Sequence, residues 1–344
     1  MMSGRIPYLD GLRVLAIMAV VAVHVTCMFY TNTGISDWYA ACTYGSFVRW
    51  CVPVFCMISG ALFLTKKELS LESLYSRYIK RIVIAFLFWS TIYAILYSSH
   101  PFSAKEFIGN IAHGHYHLWF LFMICGLYIA LPILRLIFAN RIVLRYFLMV
   151  SFIVAFVIPF FFDISHSFGI IENFIERLEH GYNRMGLHLF FGFTSYFLWG
   201  GVLKTYELRP QRRRVLYATG VFCGFLIVIL TSLLHQRNST GVDEVFYNYT
   251  GLLVFALSIS IYTYGRYSRW FELLSKTVLT KISDLVFGVY LIHIIVLDNI
   301  IRIMPDIRVS VWIEIPFITL CVFSISLVVV WLLRKYVPYT NYVL

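Results

Sequence analysis

Apolar residues run through this chain in blocks of about twenty, the length that carries a helix across a bilayer. Short polar stretches separate the blocks. Ten stand out, at residues 10–30, 44–64, 80–99, 117–138, 143–162, 188–206, 215–234, 246–264, 285–303 and 311–333. The sixth and ninth are the least uniform, because each carries a histidine or small polar residues. The pattern predicts an all-α integral membrane protein of about ten transmembrane helices, with residues 1–344 forming a single membrane domain. The longest stretch between blocks is Phe162–His188, with an outer amphipathic segment at about 163–187. There Ile171, Phe174, Ile175 and Leu178 recur at helical spacing, while Glu172, Glu176, Arg177 and Glu179 face away. That spacing predicts a helix lying on the outer membrane surface.

Composition strengthens the membrane assignment. The chain is 60% hydrophobic and only 13% charged, against about 25% charged in soluble domains. Mean hydropathy is +0.79. Too little polar sequence is left over for a large soluble domain. The first block is long enough to span and no small-residue cleavage site follows it, so it is expected to stay as the first span. The seven cysteines lie mostly inside apolar runs and form no CxxC pair. They read as small packing residues rather than disulfide or zinc ligands.

Charge sets the expected orientation. The N-terminus, the even-to-odd loops and the C-terminus hold 21 of the 28 basic residues and 6 of the 17 acids. That side carries +15 and the other −4, with Arg49, Lys105, Arg177, Arg184, Arg237, Arg302 and Arg308 as the outer basic residues. Basic loops stay in the cytoplasm, so both termini are expected there. The net charge of +11 is then topology plus anionic-lipid contact, and no nucleic-acid partner is expected.

The first block raises a chemical question. In "LDGLRVLAIMAVVAVHV" (Leu9–Val25) an acid and an arginine open the helix and a histidine lies deep within it. Arg13 and His24 are eleven residues apart, which leaves about 20° after whole turns; Asp10 and His24 differ by about 40°. All three share one stripe, and Arg13 to His24 spans a rise of about 16 Å. An ionisable group at His24's depth usually faces a bundle interior or a water-filled path.

Arg5, Asp10, Leu12, Arg13, Ala16 and His24 resemble the opening motif of the acyltransferase-3 family, bacterial inner-membrane enzymes that mostly O-acetylate sugars. The likeness continues in order. "VPVFCMISGALF" (Val52–Phe63) is similar to the family's second span and "SRYIKRIVI" (Ser76–Ile84) to the basic approach to its third. "HLWFLFMICGLYIALPIL" (His117–Leu134) resembles the fourth, and "ISDLVFGVYLIHIIVL" (Ile282–Leu297) a late span with its tyrosine and histidine. One departure is plain. Many members carry two arginines three apart before the third span, whereas Arg77 and Arg81 stand four apart, with Lys80 between. No periplasmic esterase-like extension is expected, so the chain is nearest the short, stand-alone members.

The resemblance implies acyl transfer from cytoplasmic acetyl-CoA to a hydroxyl of a cell-envelope glycan (O-antigen, lipid-linked or other surface polysaccharide) at a bacterial inner membrane. The donor's phosphates call for Arg and Lys at the cytoplasmic surface; Arg77, Lys80 and Arg81 are candidates, with Arg5 and Arg13 nearby. His24 is the candidate base or acyl relay, since histidine titrates near neutrality. Asp10 and His117 join it as candidate catalytic residues, and Arg49, Trp119, Tyr290 and His293 as candidate substrate-binding ones. Arg49 is expected near the outer end of span two. "HGHYH" (His113–His117) lacks a matching carboxylate, so no metal is expected. No GxSxG nucleophile elbow is present. The competing reading is a transporter or flippase for a glycan or small metabolite, for which inverted repeats and broken helices would be the sign. An assembly protein is a third reading, opposed by the buried histidines. Membrane lipids are the other expected partner, and the oligomeric state is left open.

Overall fold

A computed structural model describes the chain apart from residues 1–4, 31–33, 98–102, 170–171, 239–243, 274–275, 304–309 and 339. Ile171, the side chain of Glu172 and Arg308 therefore lie outside the described residues. Helix accounts for 88% of the structure and the described residues hold no strand, which establishes the all-α class. Nine described helical runs are long and apolar enough to cross a membrane. A pair bent by 67°, Phe174–Met185 with Phe190–Thr205, makes a tenth if it counts as one span.

The helices are α1 (Pro7–Cys27), α2 (Ile35–Val48), α3 (Cys51–Phe63), α4 (Lys80–Leu96), α5 (Ala104–His113), α6 (Trp119–Ala139), α7 (Arg141–Ser151) and α8 (Ile158–Phe168). They continue as α9 (Glu172–Met185), α10 (Leu187–Thr205), α11 (Pro210–Asn238), α12 (Leu252–Tyr267), α13 (Lys276–Ile303) and α14 (Val311–Tyr336). Polar side chains start several of them. The Asn140 side chain accepts from the Ile142 and Val143 amides at the head of α7, and Ser103 accepts from Glu106 at the head of α5. Each such contact satisfies an amide that the helix itself leaves free.

Four spans start eight or more residues before their apolar blocks, among them the fourth, at Ala104 rather than 117, and the ninth, at Thr277 rather than 285. The second begins at Ser36 rather than 44 and runs to Phe63, because polar residues of α2, with Ser46 buried and Tyr39, Thr43 and Tyr44 half-buried, interrupt the apolar run. The third begins at Leu71 rather than 80. There Ser70 caps a short turn that passes through a π-helical segment, Leu74–Ile79, into α4. The amphipathic helix expected on the outer side is α9. Ile175 and Tyr182 are buried, while Phe174, Leu178 and Met185 remain exposed. Glu179 turns back to His166 of α8 at 2.5 Å. Gly186, at φ +61, makes the joint to α10, a left-handed conformation that glycine adopts without a Cβ clash.

The helix carrying the ionisable stripe sits at the centre. α1 packs against α2, α3, α13 and α14, so its polar residues face protein on nearly every side. The tightest crossing is α3 on α10. A Cβ built at Gly60 would lie 1.8 Å from the Phe197 carbonyl oxygen, and one at Gly200 1.9 Å from that of Met57. Only glycine permits backbones to approach so closely, the usual device where helices pack without a hydrophobic driving force.

Candidate active site

Arg13 and His24 line the same cavity, about 350 Å³ in volume. Because they stand eleven residues apart on α1, that cavity extends along about 16 Å of helix. α3, α4, α6 and α13 close it with Val52, Phe55, Ser59, Ile82, Phe120, Tyr128 and Phe287. Its two ends differ in chemistry.

Cations and polar groups gather at the lower end. Arg13, Arg81, Ser283 and Asp284 line it. Asp10 is buried behind them, accepts a hydrogen bond from Ser283 Oγ at 2.7 Å and lies 3.5 Å from Arg13. A buried carboxylate needs such partners. Arg5 grips Asp284 at 2.5 Å, and that hydrogen bond raises the arginine's pKa above its ordinary value. Fourteen residues, about 21 Å of helix, part Asp10 from His24. Asp10 thus belongs with Arg13 and does not reach the imidazole.

The basic cluster before α4 divides. All three are exposed, and of them Arg81 lines the cavity while Arg77 and Lys80 stand outside its wall. Arg77 lies over the ring of Tyr78, which does line the cavity, at 5.9 Å. The π-helical segment that holds Arg77 takes one more residue per turn than an α-helix.

Histidines and aromatic rings occupy the upper end. His24, His117, Trp119, Tyr249 and Tyr290 all line it. The His24 ring centroid is 5.1 Å from that of His293 and 6.5 Å from that of His117, and the latter two are 5.3 Å apart. His117 meets His115 Nδ1 to Nδ1 at 2.9 Å. Tyr290 donates its hydroxyl to the His117 carbonyl at 2.5 Å, tying α13 to the start of α6. His293 packs behind the wall, fully buried and outside the lining. Its Nδ1 can only donate to the Tyr290 carbonyl, 2.7 Å away, so a neutral His293 keeps a bare Nε2. It stands behind the wall, against His24 and His117, with that nitrogen unpaired. Among the described residues no group of three or more His, Cys, Asp or Glu side chains is arranged to hold a metal.

Arg49 sits at the join of two helices. It lies between α2 and α3, midway along Ser36–Phe63 rather than at its outer end. A Cβ on Gly45 would touch the Tyr30 hydroxyl and come 3.6 Å from Thr26 Oγ1, so Gly45 is level with Thr26. Arg49 is one turn, about 6 Å, deeper, which brings it level with the His24 turn of the antiparallel α1. It is 6% exposed, lies 4.3 Å from the Tyr247 ring centroid and stands 3.6 Å from Glu244.

The sequence reading missed Tyr128, Tyr249, Ser283 and Asp284 as lining residues. Asp284 and Ser283 stand inside the quoted "ISDLVFGVYLIHIIVL", where polar residues ahead of an apolar helix were a usable signal. Nothing in the sequence marked the two tyrosines among the chain's 24.

Fold and cavity together define a polytopic membrane protein whose central helix joins a cationic end to a histidine-lined end through one open space. The model of the acyltransferase-3 family, described as an acyltransferase domain, matches residues 6–335. The chain belongs to that family and is a membrane acyltransferase. No curated protein and no solved structure matches it.

Proposed function

We propose that the protein moves an acetyl group from acetyl-CoA, entering at the cytoplasmic end, to a hydroxyl of a cell-envelope carbohydrate at the outer end. The observation that carries this reading is the single cavity shared by Arg13, Arg81 and His24. Both termini face the cytoplasm of a bacterial inner membrane in this reading, as the basic loops require.

The donor's phosphates rest at the mouth against Arg81 and Arg13, the latter held by Asp10. Arg77, Lys80 and Arg5 add positive charge around it. The pantetheine arm, an extended chain of reach comparable to the Arg13–His24 rise, follows the apolar middle of the cavity and brings the thioester to the histidine end. His24 takes the proton of the acceptor hydroxyl as its oxygen attacks the thioester carbonyl. The new C–O bond forms, the C–S bond breaks, and the coenzyme's sulfur leaves as thiolate, to which the proton passes. The same imidazole in an acyl-histidine relay gives the same balance in two steps. His117 and Tyr290 frame the upper wall, and Trp119 offers a ring face to a sugar.

Purified protein in detergent tests this directly. It is expected to bind acetyl-CoA and to release free thiol when envelope glycan is supplied, and envelope glycans from cells lacking the gene are expected to lose acetyl groups by mass. Absence of acetyl-CoA binding, with glycan acetylation unchanged in such cells, would refute the reading.

A further inference from the structure

We propose that Arg49 recognises an acid group, carboxylate or phosphate, carried by the acceptor, and that Glu244 holds its place when no acceptor is bound. This rests on the acyl-transfer reading above and specifies its acceptor as anionic. The guanidinium is buried beside the segment that bears His24, yet its Nε and Nη2 have no hydrogen-bond partner. Those two atoms form the side of the guanidinium that grips carboxylate or phosphate with two parallel bonds. Glu244, 3.6 Å from Nη2, is an ion-pair neighbour without a hydrogen bond. Its side chain is 62% exposed while that of Arg49 is 7% exposed. The carboxylate therefore stands between solvent and guanidinium, and turning it outward opens the fork.

The surroundings fix the fork in place. Tyr247 supports the guanidinium face and is itself anchored, its hydroxyl donating to the Cys42 carbonyl at 3.0 Å. Arg49 is outside the cavity lining, but Tyr249, which stands beside it, is part of that lining, so an acceptor that reaches both the fork and His24 passes this ring. A buried cation without a hydrogen-bonded counter-charge is unfavourable, and an acidic ligand supplies one. An acceptor held there by its acid group would present a neighbouring hydroxyl to the histidine.

The test uses the full-length protein in detergent with glucuronate, glucose, inorganic phosphate and chloride as probes, read by thermal stability. Glucuronate and phosphate are expected to raise the melting temperature at millimolar concentration, and glucose and chloride are not. Glu244→Gln should tighten binding of both anions at least several-fold. Arg49→Gln should abolish it, and Arg49→Lys, which keeps the charge but lacks the fork, should weaken it about tenfold. A response to glucuronate without phosphate, or the reverse, tells which acid the site takes. Equal shifts in wild type and both Arg49 variants, or no anion effect in wild type and Glu244→Gln, would overturn the proposal. Acetyl-CoA binding by the same proteins reports on the donor end separately: its persistence would leave acyl transfer standing with a neutral acceptor.

Discussion

Gly60→Ala is expected to be among the most damaging single-carbon additions in this protein. The new Cβ would lie 1.8 Å from the Phe197 carbonyl oxygen, where ordinary contact begins near 3.4 Å. The obstacle is backbone, so no side chain can rotate away, and α3 must move from α10 by about 1.6 Å. A gap of about 0.5–1 Å already forfeits a quarter to a half of a dispersion contact, and this is the most extensive helix pair in the fold. Overpacking costs about 1–3 kcal/mol; backbone against backbone puts Gly60→Ala near 3 kcal/mol, roughly a hundredfold in the folding equilibrium. Gly200→Ala meets Met57 in the same way at the same crossing. The double variant should therefore lose less than the two losses combined, since the first already parts the helices. Gly126→Ala on α6 is the control, because nothing lies within 4 Å of its added Cβ; it should be neutral or stabilising by about 0.5–1 kcal/mol. Unfolding of the purified protein in detergent measures all four. Equal stability of Gly60→Ala and Gly126→Ala would show that the close crossing does not exist.

His24→Ala should lower acetyl transfer by about 10²–10⁴-fold while leaving acetyl-CoA binding intact; full transfer by a folded variant would remove His24 from the chemistry. Arg81→Ala should raise the KM for acetyl-CoA by about tenfold or more, the loss of a charge-assisted hydrogen bond worth about 1.5–3 kcal/mol, with kcat little changed. A kcat-only effect would place Arg81 away from the donor. Reporter fusions at either terminus should be active only with cytoplasmic reporters, and a periplasmic signal from either would reverse the proposed direction of transfer.

The sequence by itself determined the class and most of the spans. Runs of apolar residues must be helices in lipid, because no water is present to satisfy an open backbone. It also determined that Arg13 and His24 share a face, since helical periodicity is a local property. Where polar residues line a buried helix, as in α2, the apolar signal failed and the span was read eight residues short. The missed residues put Arg49 near the outer end of that span, whereas it stands midway along Ser36–Phe63. Asp10 shows the opposite limit: its stripe was legible, but its partner, Ser283, comes from 273 residues away. Only tertiary packing decided that His24, His117 and His293 meet, that Arg81 reaches the cavity while Arg77 and Lys80 do not, and that Tyr128 and Tyr249 line it. These contacts join α1, α4, α6 and α13, and the order of helices in a bundle depends on shape complementarity between faces, such as the glycine crossing of α3 and α10, rather than on any local pattern along the chain.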